Sequence, residues 1–142
     1  MKKYLISTIN KLILAVLAFL GFSCDPDVPA VEYGMPHADF KAYGSIIDET
    51  TLQKLSNIQV VMDGDTVYSN ANGEYEIQVT RFPQTQIYTV GFKDVDGALN
   101  GSYLATDTII DFSDVNYTDG DGTWYSGEKS KEINIELSPD DN

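Results

Sequence analysis

From residue 39 onward the chain repeatedly alternates apolar with polar positions. Tyr75, Ile77 and Val79 are interleaved with Glu74, Glu76, Gln78 and Thr80, and the same period of two aligns Tyr88, Val90 and Phe92. Ile133, Ile135 and Leu137 repeat it between Glu132, Asn134 and Glu136. Successive side chains of a strand point to opposite faces, so this period predicts half-buried strands and not helices. Residues 40–48 predict a further strand with Phe40, Ala42, Gly44 and Ile46 inside and Lys41, Tyr43, Ser45 and Ile47 outside. Residues 58–62 and 66–68 predict two more, joined by a turn at Asp63-Gly64, and residues 104–112 another, aligning Leu104, Thr106, Thr108, Ile110 and Phe112. Asn72-Gly73 supplies a tight turn, since both residues tolerate positive φ. About seven short strands punctuated by turns predict a single all-β domain, a sandwich over residues 39–142.

The N-terminal segment follows a different pattern. Met1-Lys2-Lys3 and Lys11 precede an unbroken apolar run at residues 12–22, 11 residues long. A bilayer-spanning helix needs roughly 20 such residues, whereas the apolar centre of an export signal needs about 7 to 15. The run is apolar on every side and offers no polar face to water, which argues against a core helix of the folded domain. Residues 1–23 therefore read as a signal helix. Asp25-Pro26-Asp27-Val28-Pro29, followed by Gly34 and Pro36, favours extended backbone and makes residues 24–38 a tether.

Charge sharpens this boundary. The whole chain carries 9 Lys and Arg against 22 Asp and Glu, a net −13; three of the nine bases, and no acid, lie in the first 23 residues. The remainder is strongly acidic and lacks the clustered cations that phosphate binding needs, which excludes nucleic acid as a partner.

The sole cysteine, Cys24, stands where the apolar run gives way to acid and proline. An intrachain disulfide is thereby ruled out. Gly21-Phe22-Ser23-Cys24 resembles a lipobox, the motif at which bacterial lipoprotein signals are cut so that the cysteine thiol takes up diacylglycerol. Ser23 supplies the small residue before the cysteine, while Gly21 and Phe22 occupy positions where the usual motif has Leu and a small residue. The resemblance implies a lipid anchor on Cys24 and placement in the bacterial cell envelope. Asp25 and Asp27, directly after the cysteine, resemble the export signals that send some lipoproteins to the outer face of the outer membrane, so the expected place is the outer membrane, facing either the periplasm or the exterior.

Two further resemblances concern the domain. Gly44-x-Ile46-x-Asp48, Ile58-Gln59-Val60 and Ser69-Asn70-Ala71-Asn72-Gly73-Glu74-Tyr75 resemble the opening of a transthyretin-like, carboxypeptidase-regulatory-like domain, in which the glycine makes the turn and the following aromatic seeds the core. The order of Gly-Phe-Ser-Cys, residues 31–49 and residues 92–103 resembles the radical-SAM-associated lipoprotein family. That resemblance implies a transthyretin-like sandwich on a lipid anchor, acting beside a radical-SAM maturation system, and brings no active-site residue with it.

Candidate chemistry is sparse. Asp94 and Asp96, in Asp94-Val95-Asp96-Gly97, are the candidate Ca²⁺ ligands, with Asp119 and Asp121 behind them, because Ca²⁺ gathers six to eight oxygens. Neither turn follows the EF-hand spacing: Ala98 and Leu99, or Thr123 and Trp124, stand where that loop requires a third oxygen ligand and a glycine. Such turns are commonly solvated, and no cofactor is expected. His37 is the only histidine, so nucleophile–base pairs and zinc sites have little material, and no enzymatic activity is expected. Trp124 and Tyr125, following a Gly- and Asp-rich stretch, are the candidate ligand-binding residues. The expected function is a non-catalytic envelope module that binds a protein or peptide; a glycan-binding module using Trp124 and Tyr125 is the alternative.

Overall fold

The computed structural model describes residues 34–99 and 101–140, together with Ile9, Lys11 and Ile13. Cys24, and the signal and tether assignments over residues 1–33, otherwise fall outside the described residues. β1 (His37–Asp48) is the central strand of one sheet, where it pairs antiparallel with β4 (Glu74–Arg81). On its other side it pairs in parallel, first with β7 (Tyr125–Glu132) and then with β8 (Ile135–Leu137). The second sheet is antiparallel throughout, in the order β3 (Asp65–Tyr68), β2 (Ile58–Met62), β5 (Ile87–Asp94), β6 (Thr106–Asp111). One turn of 3₁₀ helix, Gly97–Leu99, follows β5. The fold is the expected all-β sandwich, with eight strands among the described residues.

The alternating positions meet between the sheets. Phe40, Ala42 and Ile46 of β1 and Tyr75, Ile77 and Val79 of β4 face Val60 and Met62 of β2, Tyr88, Val90 and Phe92 of β5, and Ile110 of β6; all are buried. Each large apolar side chain so buried contributes about 1.5–3 kcal/mol. The rings of Phe40, Tyr88 and Phe112 pack mutually at 5.2–5.9 Å, and Tyr75 meets Phe92 edge-on at 5.4 Å. Asp63 and Gly64 both take positive φ, as a type I′ hairpin between β2 and β3 requires.

Four differences from the sequence expectation have physical causes. β1 starts at His37, two residues before residue 39, because the His37 amide donates to the Trp124 carbonyl at 2.8 Å and Ala38 is fully buried. Leu104 is 49% exposed and lies outside β6; its amide instead donates to Ser138 O at 3.0 Å, so the inward face begins at Thr108. The alternation at 133–137 yields only the short β8, since Ile133 donates its amide to Tyr43 O and the chain shifts its pairing along β1 there. β7 itself was not expected: its inward positions are Gly127 and Lys129, which leave no apolar signature.

Candidate functional site

An open cleft of about 700 Å³ lies where β1, the β3–β4 turn and the β7–β8 connection come together. Residues 43–45 of β1 run through it, flanked by Glu74, Tyr75 and Glu76 of β4, Tyr68 and Asn70 from the end of β3, Lys54, and Glu132 and Asn134. Tyr43 is 38% exposed and Tyr68 is 55% exposed, so two phenol rings are available beside amides, carboxylates and one ammonium group.

Each wall is fixed by local chemistry. Asn70 Oδ1 accepts from the amides of Asn72 (2.8 Å) and Glu74 (3.0 Å), and Asn70 Nδ2 donates to Glu74 Oε2 at 3.1 Å. That closed turn explains the Ser69–Tyr75 pattern: Ser69 Oγ donates to Leu55 O (2.7 Å) and accepts from the Ile58 amide (3.0 Å), tying the turn to the chain entering β2. Tyr75 enters the core, its hydroxyl donating to Ile133 O at 2.9 Å, and burial pushes its pKa far up. On the opposite wall, Asn134 Oδ1 accepts from both the amide and hydroxyl of Ser45 at 2.9 and 3.0 Å, and Asn134 Nδ2 donates to Glu132 Oε1 at 3.0 Å. A side chain at Gly44 could not be housed: its Cβ would stand 2.0 Å from the Ile133 carbonyl oxygen.

The sequence-predicted residues are distributed elsewhere. Trp124 precedes β7 and is 41% exposed; its ring lies against Gly34, where an added Cβ would stand 2.7 Å away. Tyr125 opens β7, its hydroxyl donating to Asp39 Oδ2 at 3.0 Å and its ring 5.3 Å from that of His37. Desolvation, then the Asp39 carboxylate, raises the Tyr125 pKa. Asp121 Oδ1 accepts from the amides of Thr123 (2.8 Å) and Tyr125 (3.2 Å), and these bonds, Thr123 first, hold its carboxyl below the usual range. Neither Trp124 nor Tyr125 lines the cleft.

Asp94 and Asp96 serve the turn after β5. Asp94 Oδ1 accepts from the Asp96 amide at 3.1 Å and Oδ2 from the Tyr103 amide at 3.2 Å, while Asp96 Oδ2 accepts from Asn57 Nδ2 at 3.2 Å. Among the described residues, no three His, Cys, Asp or Glu side chains converge as a metal site. The cleft itself escaped sequence reading because its walls come from segments far apart in the chain. Alternation does place Tyr43 outward, and the Ser69–Tyr75 pattern marks the turn that forms one wall.

No protein-family model matches the chain, and no curated protein is significantly similar to it. Among solved structures it is similar to a protein of unknown function from Bacteroides fragilis NCTC 9343, provisionally described as membrane-associated. The TM-score is 0.46 with 18% identity over 75% of this chain, which spans 30% of that protein.

Proposed function

We propose that the chain is a non-catalytic, lipid-anchored envelope protein, held at the outer membrane through Cys24, whose sandwich is a recognition module for a protein or peptide partner. The order of cationic start, apolar run and cysteine supports the anchor. Two acylation signals or chains would make such anchoring stable, where a single fatty chain gives only marginal membrane affinity. The observation that carries the recognition reading is the cleft: a concavity with exposed Tyr43 and Tyr68 rings beside converging amide and carboxylate groups. Aromatic anchors of this kind dominate many protein interfaces. A partner within a radical-SAM maturation system is the reading favoured by the family resemblance.

A photo-crosslinking residue at Tyr68 in cells tests the module. A discrete adduct, lost when the crosslinker is moved to Leu99 on the turn after β5, is the expected result; identical adducts from both positions would remove the assignment to the cleft. Mass measurement of the mature N-terminus should find diacylated Cys24, and an unmodified thiol or intact Met1 would overturn the anchor. The glycan reading rests on the exposed half of Trp124, and a glycan array losing its signal with Trp124→Ala would favour it.

A further inference from the structure

The strand register places one aromatic ring between two carboxylates on the outward face of the first sheet. Tyr43 of β1 sits directly opposite Glu76 of β4 and directly opposite Glu132 of β7. Directly opposed side chains of an antiparallel pair have Cβ atoms about 4.5–5.5 Å apart, and with Glu132 as the register neighbour on the parallel side, one glutamate flanks Tyr43 on each side. Glu74 lies one row further along, opposite Ser45.

The neighbouring charged positions on the same face are closely paired, and those of this row are not. Lys41 makes a 2.8 Å ion pair with Glu128, whose carboxylate is held below its usual range first by Lys41 and then by Ser130. Asp39 accepts from Thr80 Oγ1 at 2.6 Å and from the Tyr125 hydroxyl. In the cleft, by contrast, Glu76 makes no hydrogen bond or close ion pair among the described residues and feels the longer-range field of Lys41, whose ammonium is bonded to Glu128, while Glu132 and Glu74 have only amide donors, Asn134 and Asn70. Lys54 is the single cation lining the cleft, whose lining also carries three carboxylates, Glu74, Glu76 and Glu132.

We infer that the row Glu76–Tyr43–Glu132 is a seat for a cationic side chain, arginine or lysine, presented by an extended segment of the partner. A cation over the phenol face gains the ring's electrostatic attraction, and the flanking carboxylates complete its charge match and accept its N–H groups. Arginine fits best, since its planar guanidinium both stacks on the ring and donates sideways to both carboxylates. The inference rests on the cleft being a recognition surface and adds the chemistry of what it recognises.

The test uses the full chain and a fluorescent pentapeptide carrying two arginines separated by glycine, with the two-citrulline peptide as its neutral counterpart. The arginine peptide should bind measurably and the citrulline peptide should not. Glu76→Gln with Glu132→Gln should weaken binding about tenfold, and Tyr43→Ala about threefold, while Tyr43→Phe keeps the ring and binds as the parent does. The charge-matched pair Asp65→Asn with Asp107→Asn, on β3 and β6 of the other sheet, should change affinity less than about twofold. Equal losses from the two charge-neutralised pairs would reduce the effect to the general acidity of the chain and overturn the seat. So would equal binding of both peptides, or absence of binding by the arginine peptide. If maltohexaose binds and the arginine peptide does not, the cationic seat is overturned, while in-cell crosslinking at Tyr68 still decides independently whether the cleft recognises a partner.

Discussion

β4 and β7 flank the same strand and are held to it by different means. β4 buries Tyr75, Ile77 and Val79 in strict alternation and pairs antiparallel with β1 over eight residues. β7 pairs in parallel, turns Gly127 and Lys129 inward, and buries no aliphatic side chain. What holds β7 is directional bonding. Lys129 is 4% exposed; its ammonium donates to Phe112 O at 2.8 Å and Gln86 Oε1 at 3.0 Å and lies 4.6 Å from the Tyr117 ring centroid. Lys131 donates to Asp111 O at 2.8 Å and pairs with Asp114, so two lysines join β7 to the end of β6 in the other sheet. One flank of β1 is thus secured by the hydrophobic effect, and the other by satisfied polar groups at the sandwich edge.

The largest effect belongs to β4. Ile77→Ala should destabilise the domain by about 3 kcal/mol, because it removes buried methyl groups and leaves a cavity in a packed interior. Chemical denaturation should show the midpoint falling with an unchanged slope, and a loss below about 1 kcal/mol would mean that β4 is not held by burial.

On β7 the sharpest break is geometric. Gly127 has φ +106°, and a Cβ there would lie 2.2 Å from Thr118 O, which accepts from the Glu128 amide at 2.8 Å. Gly127→Ala should cost about 2 kcal/mol and open the hairpin between residues 118 and 128, seen as faster amide exchange at Thr118 and Glu128. Lys129→Met keeps the length of the side chain but leaves the Phe112 carbonyl without its donor, for an expected loss of about 1–2 kcal/mol. A methionine variant as stable as the parent would erase the contrast between the two flanks, showing that bulk and not bonding is what β7 contributes there.

This contrast also explains what was legible. Glu74–Thr80 declares itself a strand because its inner residues are apolar; Tyr125-Ser-Gly-Glu-Lys-Ser-Lys-Glu132 does not, because a buried lysine is indistinguishable in sequence from an exposed one. The cleft needed more than pattern. Tyr43 could be placed outward by alternation, but its opposition to Glu132, 89 residues later, depends on a parallel register set by Gly44 and Ile133. At the Asp94–Asp96 turn the acidic spacing could not show the hydrogen bonds those carboxylates accept, since two of the three donors, Asn57 and Tyr103, come from outside the turn.

The smallest effect tests the far end of β1, where β8 has replaced β7 and bonding again supplements burial. Asp48 is a buried carboxylate that accepts from the amides of Thr50 and Thr51 at 2.7 and 2.8 Å and from the Tyr103 hydroxyl at 3.0 Å. These donors, the Thr51 amide foremost, hold its pKa below the ordinary carboxylate value. The folded state therefore prefers the ionised form. Its contribution is present above the unfolded pKa of about 4 and is lost as pH falls through the lower folded value. Asp48→Asn should accordingly lower Tm at neutral pH, and the gap from the parent should narrow as pH drops below about 4. A gap constant from neutral to acid pH would mean that the side chain's shape, and not its charge, secures this end of β1, leaving the polar attachment of β7 without a counterpart on β8.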